Sequence, residues 1–363
     1  MKVIVASAQF PPTRSGYSRI AGNLADQFRR AGLTVIPLTE GAGCTRFGRI
    51  PVLNREGART LDAGADIVQV IGPSPPFTEQ VVWKAHRLKI PVVYGLHAFA
   101  GLATYYSGPI PSTVDTIYAR TLHRLALRMI DVAVFNTRDF AETFGLRSIP
   151  WKVIPAGSTD PCAVAPVSQP WTRQGSDPRL RVLFAGQLRR AKGVDNLVRA
   201  VAKLNRNGRP TALTIVGGGP QRPLLERRVD ELGIRAETTF RGLVDDAQLH
   251  AEYLSNDVIV LPSLLGDSFG IVLVEARLHG LAVVASDLPG VRELVREFNG
   301  YLVPPGDVDA LADTLSRVER PLPEARQYNA RLGQKFSWSE IARQFLAVYG
   351  DILHPRGGGS TGF

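Results

Sequence analysis

Two carboxylates, Asp267 and Glu275, stand eight residues apart on either side of a turn that leads from an apolar run into a helical pattern. The run at 257–261 reads as a buried strand, Pro262 and Gly266 turn the chain, and a helix is expected to begin near Ser268 or Phe269. The first N–H groups of a helix have no partner within it and carry partial positive charge. This start therefore favours an anion, and a phosphate suits it well. Glu275 falls about six residues into the expected helix, roughly 9 Å along it at ~1.5 Å per residue. One acid can serve one end of an extended ligand and the second its other end, which is a geometry suited to a sugar nucleotide. Lys192 lies on a loop entering another helical pattern, where its cation can meet such a phosphate.

These residues need a scaffold, and the chain supplies one by alternating short apolar runs with helical or loop-length segments. Runs at 3–6, 33–38, 66–71, 91–94 and 132–135 read as strands. The helix after the first carries Ile20, Leu24 and Phe28 on one face and stops at Gly32. A second series follows at 180–185, 212–216, 238–241, 258–261, 282–285 and 300–303, with helical patterns such as 194–204 and 224–232 between strands. Apolar runs separated in this way mark parallel sheets covered on both faces. The economical architecture is α/β: two doubly wound, Rossmann-like domains facing across a cleft, with ligands at the carboxyl ends of the strands. The expected domains are 1–160 and 180–336, joined by a linker at 161–179. A further helix is expected at 337–353, and the Gly-rich tail at 354–363 is expected to be disordered.

Composition narrows the function classes. The 363 residues are 44% hydrophobic with a net charge of +10, a soluble globular profile whose basic surface suits phosphorylated partners. That charge is dispersed, with no run of five or six basic residues, so no nucleic-acid partner is expected. Cys44 and Cys162 lie far apart and without metal-ligand spacing, as free thiols in a reducing cytosol would. No stretch approaches eighteen apolar residues. The expected location is cytoplasmic, with peripheral contact at the inner membrane face as an option. That option rests on Arg120, Arg124 and Arg128 at four-residue spacing beside Leu122, Leu125 and Met129. The Gly217-Gly-Gly-Pro-Gln-Arg222 segment is like a dinucleotide loop, but the third glycine of that fingerprint is absent.

The second half resembles the nucleotide-binding domain of retaining glycosyltransferases of family 4, which have the two-domain GT-B fold. The matching segments are Phe184-Ala-Gly-Gln-Leu-Arg-Arg-Ala-Lys-Gly193, Thr214-Ile-Val-Gly-Gly-Gly-Pro220, Phe240-Arg-Gly-Leu-Val244 and Leu261-Pro-Ser263. The Asp267…Glu275-Ala276 element, Asp287-Leu-Pro-Gly-Val-Arg-Glu-Leu294 and Gly300-Tyr-Leu-Val-Pro-Pro-Gly-Asp307 continue the series in order. The first half offers Ser15-Gly16-Tyr17 in its first loop and His97 after a strand.

The resemblance implies an acceptor side in 1–160, completed by the helix at 337–353 crossing back to it, and a nucleotide-sugar side in 180–336, and it implies residue roles. His97, Lys192 and Asp267 form the catalytic set: His97 beside the transferred sugar, Lys192 on the diphosphate, Asp267 on a sugar hydroxyl. Glu275 binds the ribose hydroxyls. Ser268, Phe269, Gly270 and Ile271 offer backbone N–H groups, and Gly242, Leu243 and Val244 line the base. Gly16 lets the backbone approach a phosphate, and Gln187 and Arg190 complete the donor set. The chain departs from the family at two places. Gln187 stands where an arginine is common, so Arg189 or Arg190 reaches in or Gln187 binds the donor differently. Asp267 stands where glutamate is usual.

The implied reaction is transfer, with retention, of a hexose-type sugar from a nucleoside-diphosphate sugar to a hydroxyl acceptor, either a small molecule or lipid-linked. UDP is the first choice of donor and GDP the second. The donor is a substrate; no cofactor and no essential metal are expected. The alternatives are a nucleotide-sugar epimerase or sugar phosphorylase of the same fold, or a non-catalytic binder of sugar nucleotides.

Overall fold

The computed structural model describes residues 1–12, 16–47, 50–72, 76–96, 118–146, 148–158, 178–319 and 331–355. It divides into two compact units, one of Met1–Gly157 with Trp338–Phe363 and one of Ser158–Ser337. The expected linker at 161–179 and tail at 354–363 lie almost wholly outside the described residues.

The strands of the first unit are β1 (Lys2–Ser7), β2 (Thr34–Leu38), β3 (Cys44–Phe47), β4 (Ile50–Leu53), β5 (Ile67–Gly72), β6 (Val92–Leu96), β7 (Val132–Phe135) and β8 (Trp151–Val153). Six of them form one sheet in the order β2-β1-β5-β6-β7-β8, parallel throughout. The β3–β4 hairpin is a separate antiparallel pair that the sequence reading did not foresee. Strands β1 and β5 are buried along nearly their whole length, so their sequences run apolar without alternation. The Trp338–Leu353 helix belongs to this unit. Phe345 and Tyr349 pack on Phe28 of the Gly16–Arg30 helix at 6.4 and 5.5 Å between ring centres, and the Tyr349 hydroxyl donates to Gln69 in β5 at 2.8 Å. The expected basic stripe is broken by a π-helical turn at Ala119–His123. Leu122, Leu125, Arg124 and Arg128 are exposed, and the Arg120 side chain lies outside the described residues.

A buried polar cluster closes the same unit. Glu79, in the first turn of the Phe77–Arg87 helix, accepts a hydrogen bond from the Tyr118 hydroxyl and has the His123 Nδ1 at 2.8 Å. Burial alone would raise its pKa. The hydrogen bond and attraction from His123, with Tyr118 adding to them, outweigh it and hold the carboxyl below its usual range. A depressed folded pKa contributes stability above the unfolded value, about 4.3, and that stability is lost as pH falls through the folded value. Urea unfolding from pH 7 down to 3 should therefore show a steeper acid loss for the native chain than for Glu79→Gln. Equal slopes would show that the cluster carries no linkage.

The second unit holds β9 (Leu180–Ala185), β10 (Thr211–Val216), β11 (Thr238–Gly242), β12 (Val258–Leu261), β13 (Ala282–Ser286) and β14 (Tyr301–Val303). Their order is β11-β10-β9-β12-β13-β14, again all parallel. All six lie within a residue of the expected runs. The α/β, doubly wound class expected from the sequence is the one observed, once in each unit. Helices cover both faces; Val194–Arg206 buries Leu197, Val198, Val201 and Leu204 against Val182, Phe184 and Ile215 of the sheet. Each such side chain contributes about 1.5–3 kcal/mol when fully buried. The order reverses direction between β9 and β12. Such a switch point opens a crevice above the carboxyl ends of the two strands.

Candidate functional site

The loops that leave β9, β10, β11 and β12 are tied to one another by backbone contacts that only glycine permits. Gly217 N–H donates to the Gly242 carbonyl at 2.7 Å, Gly186 N–H to Val216 at 3.0 Å, and Leu188 N–H to Gly218 at 2.9 Å. At Gly217 (φ +130°) a Cβ would lie 1.9 Å from the Gly186 carbonyl oxygen, and at Gly193 (φ +64°) 2.0 Å from that of Pro262. Leu264 N–H donates to Ala191 at 2.8 Å, so the loops after β9 and β12 cross the switch point in contact.

That crossing brings Lys192 onto Asp267. Lys192 ends a short 3-10 turn, Arg190–Lys192, after β9, and its ammonium donates to Asp267 Oδ1 in the loop after β12. The residues are 75 apart in sequence. Asp267 Oδ2 is buried and has no hydrogen-bond partner among the described residues. A carboxylate with one oxygen engaged and one buried without a donor is an acceptor for a ligand hydroxyl.

The helix after Asp267 starts later than expected. It spans Ile271–Leu278, with Gly270 at its N-cap in the left-handed region (φ +79°). Ser268, Phe269 and Gly270 are therefore loop residues, and Glu275 sits four residues into the helix, about 6 Å along it. The reason is tertiary. Phe269 is buried with its ring 6.0 Å from Phe336, which holds that residue in the loop until Gly270 reverses the backbone. Glu275 is 2% exposed, and its Oε2 accepts from the Tyr253 hydroxyl at 2.8 Å. Tyr253 went unnoticed in the sequence. The available signal was a tyrosine on a helix face just before a buried strand, since a buried phenol must find a partner.

The other sequence candidates fall in several places. Gly242 ends β11 in the left-handed region (φ +71°); Val244 is half-buried and Leu243 is 75% exposed. Gln187 is exposed on the loop after β9. Arg190 is exposed too, and with Arg189, Asn196, Arg199, Gln221 and Arg228 it lines a groove of about 470 Å³. Arg228 and Arg199 are paired with Asp195 there. Gly16, in the first unit, is the first residue of its helix, and a Cβ there would meet none of the described residues within 4 Å. His97 and Ser15 lie outside the described residues. The structure thus brings Lys192, Asp267, Ser268, Phe269, Gly270, Ile271 and Glu275 together around one switch point. The Gly242–Val244 loop joins it through Gly217.

Among the described residues no group of three or more His, Cys, Asp or Glu could hold a metal ion, and no helix is long and apolar enough to cross a membrane.

Comparison with known proteins adds to this geometry. The family described as glycosyl transferases group 1 matches residues 172–333, and the glycosyl transferase 4-like domain matches residues 3–157. The phosphatidyl-myo-inositol mannosyltransferase of Mycobacterium tuberculosis is 32% identical over 342 residues, covering 90% of this chain and 84% of its own length. The alpha-D-kanosaminyltransferase of Streptomyces kanamyceticus is 32% identical over 186 residues, 50% of this chain and 48% of that protein. The sucrose-phosphate synthase structure from Thermosynechococcus elongatus superposes with a TM-score of 0.71 at 20% identity, covering 98% of this chain and all of that one. The Anabaena HepE structure in complex with UDP and glucose gives 0.70 at 20% identity, covering 97% of this chain and all of that one. These likenesses show the GT-B fold.

Proposed function

We propose, since this chain belongs to the group 1 glycosyltransferases of the family 4 type, that it transfers a hexose-type sugar from a nucleoside-diphosphate sugar to a hydroxyl acceptor with retention. The observation that carries the reading is the Lys192–Asp267 contact across the switch point, directly before the Glu275 helix. Lys192 is the cation for the diphosphate. On donor binding its ammonium turns from Asp267 to the phosphate oxygens, and Asp267 is released to a sugar hydroxyl. Glu275 takes the ribose hydroxyls, and the Gly242–Val244 loop takes the base. Gln187 is a neutral amide and cannot replace a guanidinium on the leaving group, so Lys192 carries more of that charge. The departing phosphate itself then accepts the acceptor proton, and the acceptor attacks from the leaving-group side.

UDP is the first choice of nucleotide, supported by the UDP seen in the HepE structures, with GDP second. The first unit, with Gly16 and His97, is read as the acceptor side. A lipid-linked acceptor draws support from the mannosyltransferase relatives and from exposed Leu122, Leu125, Arg124 and Arg128; a small acceptor draws it from the kanosaminyltransferase. The action is cytoplasmic and needs no metal.

The test is a thermal-shift panel of nucleoside diphosphates and their sugars. The cognate pair should raise the unfolding midpoint by about 5–10 °C at ~100 times Kd. A shift with NAD and none with any nucleoside diphosphate would sink the reading. Product analysis showing inversion at the anomeric carbon would overturn retention. Conversion of the donor to another sugar nucleotide without acceptor would make the protein an epimerase.

A further inference from the structure

Glu275 is gripped from the side away from the helix start by a chain of aromatic groups that the proposed reaction does not use. The Asp246–Ser255 helix buries Tyr253, 1% exposed, and its hydroxyl donates to Glu275 Oε2 at 2.8 Å. The Tyr253 ring lies on the His279 ring, 5.0 Å between centres at 31°. His279 Nδ1 is 2.7 Å from the Glu275 carbonyl oxygen, and its Nε2 is 2.7 Å from His250 Nδ1. A carbonyl only accepts, so His279 carries its proton on Nδ1. In the neutral ring its Nε2 then accepts, and His250 Nδ1 donates to it. The direction of every bond in the chain is thereby set: His250 to His279, His279 to the Glu275 backbone, and Tyr253 to the Glu275 carboxylate.

We infer that Tyr253 is a positioning residue that sets the ribose selectivity of the site through Glu275, an inference that rests on the reading of Glu275 as the ribose ligand. A carboxylate on a helix has a broad terminal torsion. Here one oxygen is tied to a phenol whose ring is held by His279, so the plane in which the carboxylate meets a vicinal diol is fixed. Without the hydroxyl, a buried anion loses a charge-assisted hydrogen bond. The carboxylate then swings or neutralises, and either change weakens its hold on two hydroxyls at once. The loss should fall more heavily on ribonucleotides, which lose two contacts, than on 2′-deoxyribonucleotides, which keep only the 3′-hydroxyl to lose.

The experiment is calorimetric binding of UDP and 2′-deoxy-UDP to the full chain, as the native protein and as Tyr253→Phe, Glu275→Gln and the double variant. A base other than uracil is used if the panel above selects one. Native protein should prefer the ribonucleotide by about tenfold or more, from charge-assisted bonds to the diol. Tyr253→Phe should lose most of that preference, with kcat at saturating donor within about threefold of native. Adding Tyr253→Phe to Glu275→Gln should cost nothing further, because both act through one group. A Tyr253→Phe protein that keeps the preference and only melts earlier overturns the inference, as does a double variant that loses clearly more than Glu275→Gln alone. Should Tyr253→Phe fail to fold because its buried anion has lost a donor, the double variant, whose acceptor is neutral, still makes the comparison with Glu275→Gln. Equal binding of both nucleotides by native protein and by Glu275→Gln overturns the ribose reading itself, and the inference with it.

Discussion

Lys192→Ala lowers kcat/KM by about 100- to 1,000-fold, the range found when one pre-aimed donor to developing charge is removed. The role proposed for Lys192 on the diphosphate is the reason for so large an effect. Lys192 is the residue that the loop after β9 delivers onto Asp267, and Gln187, earlier on the same loop, brings no charge. The loss should appear both in donor affinity and in kcat, because the charge on the diphosphate grows as the sugar departs. Lys192→Arg should recover only part of it, since a planar guanidinium does not occupy the space of a compact ammonium. Steady-state kinetics with the cognate donor, beside circular dichroism to confirm the fold, make the measurement. A Lys192→Ala enzyme within threefold of native would remove Lys192 from the diphosphate.

Gly217→Ala destabilises the second unit by more than about 3 kcal/mol. The added Cβ would sit 1.9 Å from the Gly186 carbonyl oxygen, and the neighbouring atoms there are backbone that cannot swing aside. The left-handed φ of +130° adds strain of its own. The two strand ends must part, and with them go the Gly217 N–H bond to Gly242 and the Gly186 N–H bond to Val216. Gly16→Ala is the contrast. None of the described residues lies within 4 Å of its added Cβ, so its stability should stay within about 0.5 kcal/mol of native. Chemical unfolding of the three proteins side by side checks both statements; a Gly217→Ala midpoint equal to native would mean that the loops separate without cost.

What could be read from the sequence follows from where each residue is buried. Central strands such as β12 are legible because they are buried on both faces and therefore run apolar without interruption. Strand β8 is not, since its three residues are at best half-buried at the edge of its sheet. The β3–β4 hairpin pairs only with itself and has no counterpart in the βαβ pattern. The helix start near Asp267 was misplaced by two or three residues because Phe336, 67 positions later than Phe269, helps to fix it. Residue types and spacing gave the Asp267–Glu275 pair, and Lys192 apart from it. The meeting of Lys192 with Asp267 depends on a sheet whose order reverses between β9 and β12, which no local spacing encodes.

The Trp338–Leu353 helix has a consequence for how the protein is made. It is the last described element of the chain, yet it covers Phe28 and bonds Gln69 near the beginning. During synthesis the main part of the first unit emerges before the second but lacks this piece until the second unit has been made. The second unit, continuous from Ser158 to Ser337, is complete before then. The usual N-terminal-first order of domain maturation is thus inverted. Until its closing helix arrives, the early half carries an aromatic surface that a chaperone can hold.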